Sequence, residues 1–150
     1  MVNPFEPKTV LLAKHAQHVV LIHFPIALFI TGVAFDFLAW FLRKPGLADV
    51  AYYDVLLAAL TTIPVVATGL LAWQLQLEGQ KLKGLLLLHL VLGLLSTAAI
   101  WWTWWLHYRS RRRKQASIPA LRLAIETVGV LLVALTGHLG GFLSGVNSPA

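Results

Sequence analysis

Four stretches of the chain contain no Asp, Glu, Lys or Arg: between Lys14 and Asp36, between Asp54 and Glu78, between Lys83 and Arg109, and from Glu126 to the C-terminus. Each reaches the ~20 residues with which an α-helix crosses ~30 Å of hydrocarbon. The pattern predicts an all-α protein, a four-helix transmembrane up-and-down bundle, with spans at about 18–42, 54–76, 84–107 and 119–144. Four spans in 150 residues leave one integral membrane domain, 1–150, with short loops and no room for a soluble catalytic domain. Arg43, Lys44, Pro45 and Gly46 close the first span with charge and two helix breakers. Pro25 lies near its start, Pro64 lies inside the second, and Ser117 with Pro119 reads as a cap and first-turn pair for the fourth.

Charge supplies an orientation. Lys8, Lys14, Lys81 and Lys83 flank one side; Arg43, Lys44, Arg109, Arg111, Arg112, Arg113, Lys114 and Arg122 flank the other. The second side is expected to be cytoplasmic, which puts both termini in the periplasm of a bacterial inner membrane. The formal charge of +6 then reflects a loop attracted to anionic lipid, and no nucleic-acid partner is needed. Residues 1–14 lack the basic start and apolar core of a cleavable signal peptide, so the first span is expected to direct insertion. Trp101, Trp102, Trp104, Trp105 and Tyr108 ahead of Arg109 read as an interfacial anchor rather than a stacking or quinone site. His107 falls in that belt and is left out of the candidate site.

The remaining histidines carry the chemistry. His18, His23, His89 and His138 lie near the periplasmic ends of three spans, His89 about 8 Å deep at ~1.5 Å per residue, and His23 and His138 at similar depths. His89 shares a helix face with Gly93, Ser96 and Thr97; His138 shares one with Gly141 and Gly145; His23 shares one with Ala27, Thr31 and Ala34. Small faces permit close helix packing and leave room for a flat macrocycle. With no cysteine in the chain, thiolate ligation is excluded, and two imidazoles from different helices suit a b-type haem. A zinc or copper site would lack a carboxylate partner other than Glu78. His18 and His23 are five residues apart, about 140° around a helix, so they do not address one metal. Either His18 is a hydrogen-bond partner in a nonhelical lead-in, or the bundle holds two haems; His15 can replace His18 in both schemes. Asp36 and Glu126, at the opposite end, are expected to pair with Arg43, Arg109 or Arg122, with a proton path or quinone contact as the alternative.

The segment His18-Val19-Val20-Leu21-Ile22-His23-Phe24-Pro25-Ile26-Ala27-Leu28, the later Ala34-Phe35-Asp36-Phe37-Leu38, His89, and His138-Leu139-Gly140-Gly141 resemble the bacterial four-helix membrane family called domain of unknown function 2231. The resemblance covers roughly residues 15–146. In that family the first histidine is commonly followed by proline, whereas Val19 stands here. The resemblance implies a redox module, because members are sometimes joined to Rieske-like or cytochrome-like domains. This chain carries no such fused domain, so it would work with an external redox partner or inside a larger respiratory or photosynthetic complex.

The expectation is a membrane b-type cytochrome with one or two haems near the periplasmic face, ligated among His18, His23, His89 and His138. It would be an electron-transfer subunit rather than a stand-alone enzyme, in contact with the lipid bilayer. The rivals are a cofactor-free structural or assembly subunit and a copper- or zinc-handling protein. No nucleophile with its base, phosphate-cradling loop or thiol motif is visible.

Overall fold

The computed structural model describes residues 13–76, 79, 81–113 and 119–145; Glu78 and Ser117 lie outside them. Its helices are α1 (Lys14–Leu21), α2 (His23–Leu42), α3 (Pro45–Gln76), α4 (Gly84–Arg112) and α5 (Ala120–Leu143). Together α1 and α2 form one span, His15–Leu42, so the described residues hold four helices long and apolar enough to cross a membrane. The interruption at Ile22 follows from Pro25. Proline has no N–H, so the carbonyl four residues earlier, that of Leu21, loses its helical partner. The backbone nevertheless stays near-helical, with Ile22 N–H bonded to the His18 carbonyl at 3.0 Å and Ile26 N–H to that of Ile22 at 3.3 Å. His18 therefore sits on a helix, and not in a nonhelical lead-in.

At the other end of α2, Arg43 turns left-handed (φ 53°) and Lys44 N–H bonds back to the Ala39 carbonyl at 3.2 Å. Pro45 then starts α3, ahead of the apolar stretch that follows Asp54. Proline suits a first helical turn because its missing N–H would have no partner there.

Neighbouring helices pack in a closed ring, α2 on α3, α3 on α4, α4 on α5 and α5 on α2, while α1 lies on α3. Each span turns a seam with steps of three and four residues toward the centre, the spacing that keeps one helix face on a partner. On α2 the seam is Pro25, Phe29, Gly32, Asp36 and Ala39; on α4 it is Ser96, Ile100, Thr103 and His107; on α5 it is Arg122, Glu126, Gly129 and Val133. Outward faces stay apolar, as Phe41, Leu121 and Leu131 show, because lipid rather than water meets them.

Glycines bring the seams together. A Cβ at Gly32 would stand 2.9 Å from Val55 Cγ2, and one at Gly129 would stand 2.9 Å from Phe29 Cζ. Phe29, wholly buried, fills the mid-bundle with Val33, Val55, Ala58, Ala59, Ile100 and Val133. This dry layer divides the bundle into two polar ends.

Candidate functional site

At one end His18 from α1 and His89 from α4 turn into the bundle, their ring centres 6.4 Å apart and their planes 87° from parallel. They line a cavity of about 350 Å³ whose walls are mainly apolar, and its volume lies within the ~300–1,000 Å³ usual for small-molecule sites. Both rings rest where a side chain is missing. A Cβ at Gly69 would come within 2.9 Å of His18 Cε1, and one at Gly140 within 3.2 Å of His89 Cε1. Gly93, Ser96, Thr97 and Gly137 widen the same space, whose floor is Ile100 and Val133.

The His18 Nδ1 lies 3.0 Å from the Val65 carbonyl oxygen. A carbonyl only accepts, so this bond requires the proton on Nδ1 and leaves the lone pair on Nε2. That is the arrangement by which an outer hydrogen bond orients a ligating imidazole. His89 Nδ1 is buried beside the Thr136 carbonyl without a well-formed hydrogen bond. His18 and His89 would be the residues to hold a metal or haem iron in this cavity, which would supply one-electron exchange there. No carboxylate lines the cavity, and among the described residues its histidines, His15, His18 and His89, do not bring three donor atoms within 4.8 Å of one another, as a zinc set would need.

The other candidates are placed differently. His23 is exposed, its Nδ1 3.3 Å from the Val20 carbonyl at the end of α1, and His138 is exposed with its ring edge-on to Phe142 at 5.0 Å. Neither lines the cavity, whereas His15, one turn before His18, does. Of the four sequence candidates, the structure brings together His18 and His89.

At the opposite end is a second polar centre. His107 is 2% exposed, and its Nε2 lies 2.9 Å from Asp36 Oδ2 and 3.0 Å from Glu126 Oε1; both carboxylates are wholly buried. Arg122 donates from Nη2 to Asp36 Oδ2 at 2.7 Å, and its Nε stands 3.2 Å from Glu126 Oε1 without hydrogen-bond geometry. Of the three expected partners, Arg43, Arg109 and Arg122, it is Arg122 that stands within ion-pair distance of both acids. His107, assigned by the sequence reading to the interfacial belt, belongs instead to this buried cluster. Thr103 one turn away is wholly buried. His89 and His107 stand about 27 Å apart along α4 at ~1.5 Å per residue.

A family model described as a predicted membrane protein, DUF2231, matches residues 14–147. The chain belongs to the DUF2231 family. The match covers every helix and both polar ends of this DUF2231 protein. No curated protein and no solved structure matches it.

Two signals in the DUF2231 sequence pointed to the sites as they stand. His89, Gly93, Ser96, Ile100, Thr103 and His107 follow one another by four, three, four, three and four residues, a single continuous helix face. Depth in the bilayer had separated His107 from His89, whereas face unites them. On α5 the inward small residues are Gly137 and Gly140, which puts His138 about 100° off the face that meets the cavity.

Proposed function

We propose that this protein is a membrane electron-transfer subunit that binds one b-type haem between His18 and His89. The observation that carries the reading is the meeting of two imidazoles from different spans inside an apolar cavity, each ring seated over a glycine. A haem held there supplies one-electron exchange at its iron. The chain's own contribution is ligation and exclusion of water. The Val65 carbonyl orients the His18 ring, Gly69 and Gly140 admit the two rings, and the apolar walls keep the site dry. On the Lys/Arg balance the histidine pair faces the periplasm and the arginine-rich end faces the cytoplasm of a bacterial inner membrane. Its electrons would be exchanged with a separate redox protein or within a larger complex, and quinone is a further candidate partner.

The test is a reduced-minus-oxidised visible spectrum of the detergent-purified protein, made with ample haem, with iron quantified per chain. Sharp α and β bands are expected in the wild type. They should disappear in His18→Ala and in His89→Ala, and persist in His23→Ala. A flat wild-type spectrum without iron overturns the reading. The His18–Val65 bond, which ties α1 to α3, favours the second reading of a cofactor-free structural subunit. That reading predicts a colourless protein free of iron, copper and zinc.

A further inference from the structure

The cluster around His107 has a charge imbalance. Asp36 and Glu126 bring two negative charges and Arg122 one positive charge, all on side chains no more than 8% exposed. A net charge left in a low-dielectric interior is costly, and buried ionisable groups in membrane spans are neutralised by partners or used. His107 Nε2 faces an oxygen of each carboxylate, and an ionised carboxylate only accepts. Nε2–H therefore donates to both, and while Nδ1 is unprotonated the imidazole is neutral and the cluster keeps one net negative charge. One further proton would cancel the charge. Seats for it exist: Asp36 Oδ1 and Glu126 Oε2 are buried and have no hydrogen-bond partner. The remaining ring nitrogen, Nδ1 of His107, is a third.

We infer that Asp36, His107, Glu126 and Arg122 form a binding site for a single proton, filled from the arginine-rich side of the bundle. The proton leaves a water or hydronium ion and joins a carboxylate oxygen or the imidazole; nothing is oxidised or reduced. A divalent metal ion fits less well, because the Arg122 guanidinium already stands between the carboxylates and the ion would turn a net charge of minus one into plus one. On that side a second cavity, about 210 Å³, between α4 and α5 is lined by Arg122 together with Leu106, Arg109, Ser110 and Arg113, so it reaches the cluster at Arg122 and at none of its proton-accepting groups.

Groups facing His107 come from every helix of the ring. Asp36 approaches from α2, Tyr52 from α3 with its ring centre 6.4 Å away, and Arg122 and Glu126 from α5. Arg111, further out on α4 itself, lies over Tyr52 and is engaged by Asp49 at 3.1 Å. On the inner side the core around Phe29 and Ile100 is apolar, and the Trp101 Nε1–H beside it is held by Thr62 Oγ1 at 3.1 Å. The proton thus enters and leaves by one face, and the site stores rather than conducts. None of this depends on haem at the other end.

The experiment is infrared pH-difference spectroscopy of the full chain in neutral-lipid nanodiscs, from about pH 5 to pH 9, beside ¹⁵N-histidine spectra of the same samples. A carboxyl or imidazole signal protected from bulk water is expected to titrate in the wild type. Glu126→Gln or His107→Gln should abolish it or move its proton affinity at least tenfold. A titration identical in both variants assigns it to surface acids and overturns the proposal. Should neither variant fold, the wild type decides alone: a protected carboxyl or imidazole that titrates supports the site, and its absence overturns it.

Discussion

At one end of the bundle His18 and His89 meet in a cavity made by glycines and apolar side chains; at the other, His107 is packed among two carboxylates and a guanidinium. Both ends bury imidazoles, and they do so by opposite means. Around His107 the side chains pack closely against one another, yet Asp36 Oδ1 and Glu126 Oε2 are left without hydrogen-bond partners. Around His18 the Val65 carbonyl and, at 3.4 Å, Thr68 Oγ1 both engage one ring nitrogen, Nδ1, while Gly69 and Gly140 keep volume open beside the rings. On the proposed reading, vacant volume plus a spare lone pair would suit a cofactor, whereas a close-packed cluster with two unpaired carboxylate oxygens would suit a proton.

The largest effect that would break this contrast is expected from Arg122→Ala. It leaves Asp36 and Glu126 buried without their cation, and loss of about 3–5 kcal/mol is expected in thermal or denaturant unfolding in detergent. A loss below about 1 kcal/mol would mean that water already screens the acids. An intermediate effect is expected from the cavity glycines. Gly69→Ala thrusts a methyl to 2.9 Å from His18 and should cost about 1–3 kcal/mol, with less iron retained per chain. Gly140→Ala, at 3.2 Å from His89, should follow with a smaller loss on both readouts. Unchanged iron content in both variants would detach the cavity from cofactor binding. The smallest effects belong to His23→Ala and His138→Ala, whose side chains lie on exposed faces. Unfolding should stay within about ±0.5 kcal/mol of wild type, with spectra unaltered.

The spans and the bundle were legible because charge is excluded from hydrocarbon, and four charge-free stretches are hard to read in another way. The inward faces were harder. In water an amphipathic helix shows which side is buried, but here Leu121 and Leu131 face lipid while Val133 faces the core, and all are apolar. Only small and polar residues distinguish the interior. His89 with Gly93, Ser96 and Thr97 met that criterion and was placed on the cavity wall. His138 lies next to Gly137 in sequence, yet one residue turns a helix by about 100°, and similar depth could not reveal that it points outward. His107 was obscured by its neighbours, since Trp102, Trp105 and Tyr108 do lie exposed around it. Its partners Asp36 and Glu126 come from other spans, and no local pattern announces such a meeting.

Phe29 seated on Gly129, with Val33, Ile100 and Val133 around it, gives the molecule a gasket. Above and below it stand two chemically unlike compartments, and among the described residues a polar contact beside that layer is Trp101 Nε1 donating to Thr62 Oγ1 at 3.1 Å. If both proposals hold, a change of pH or redox poise on one side of the membrane would be registered at one end and withheld from the other.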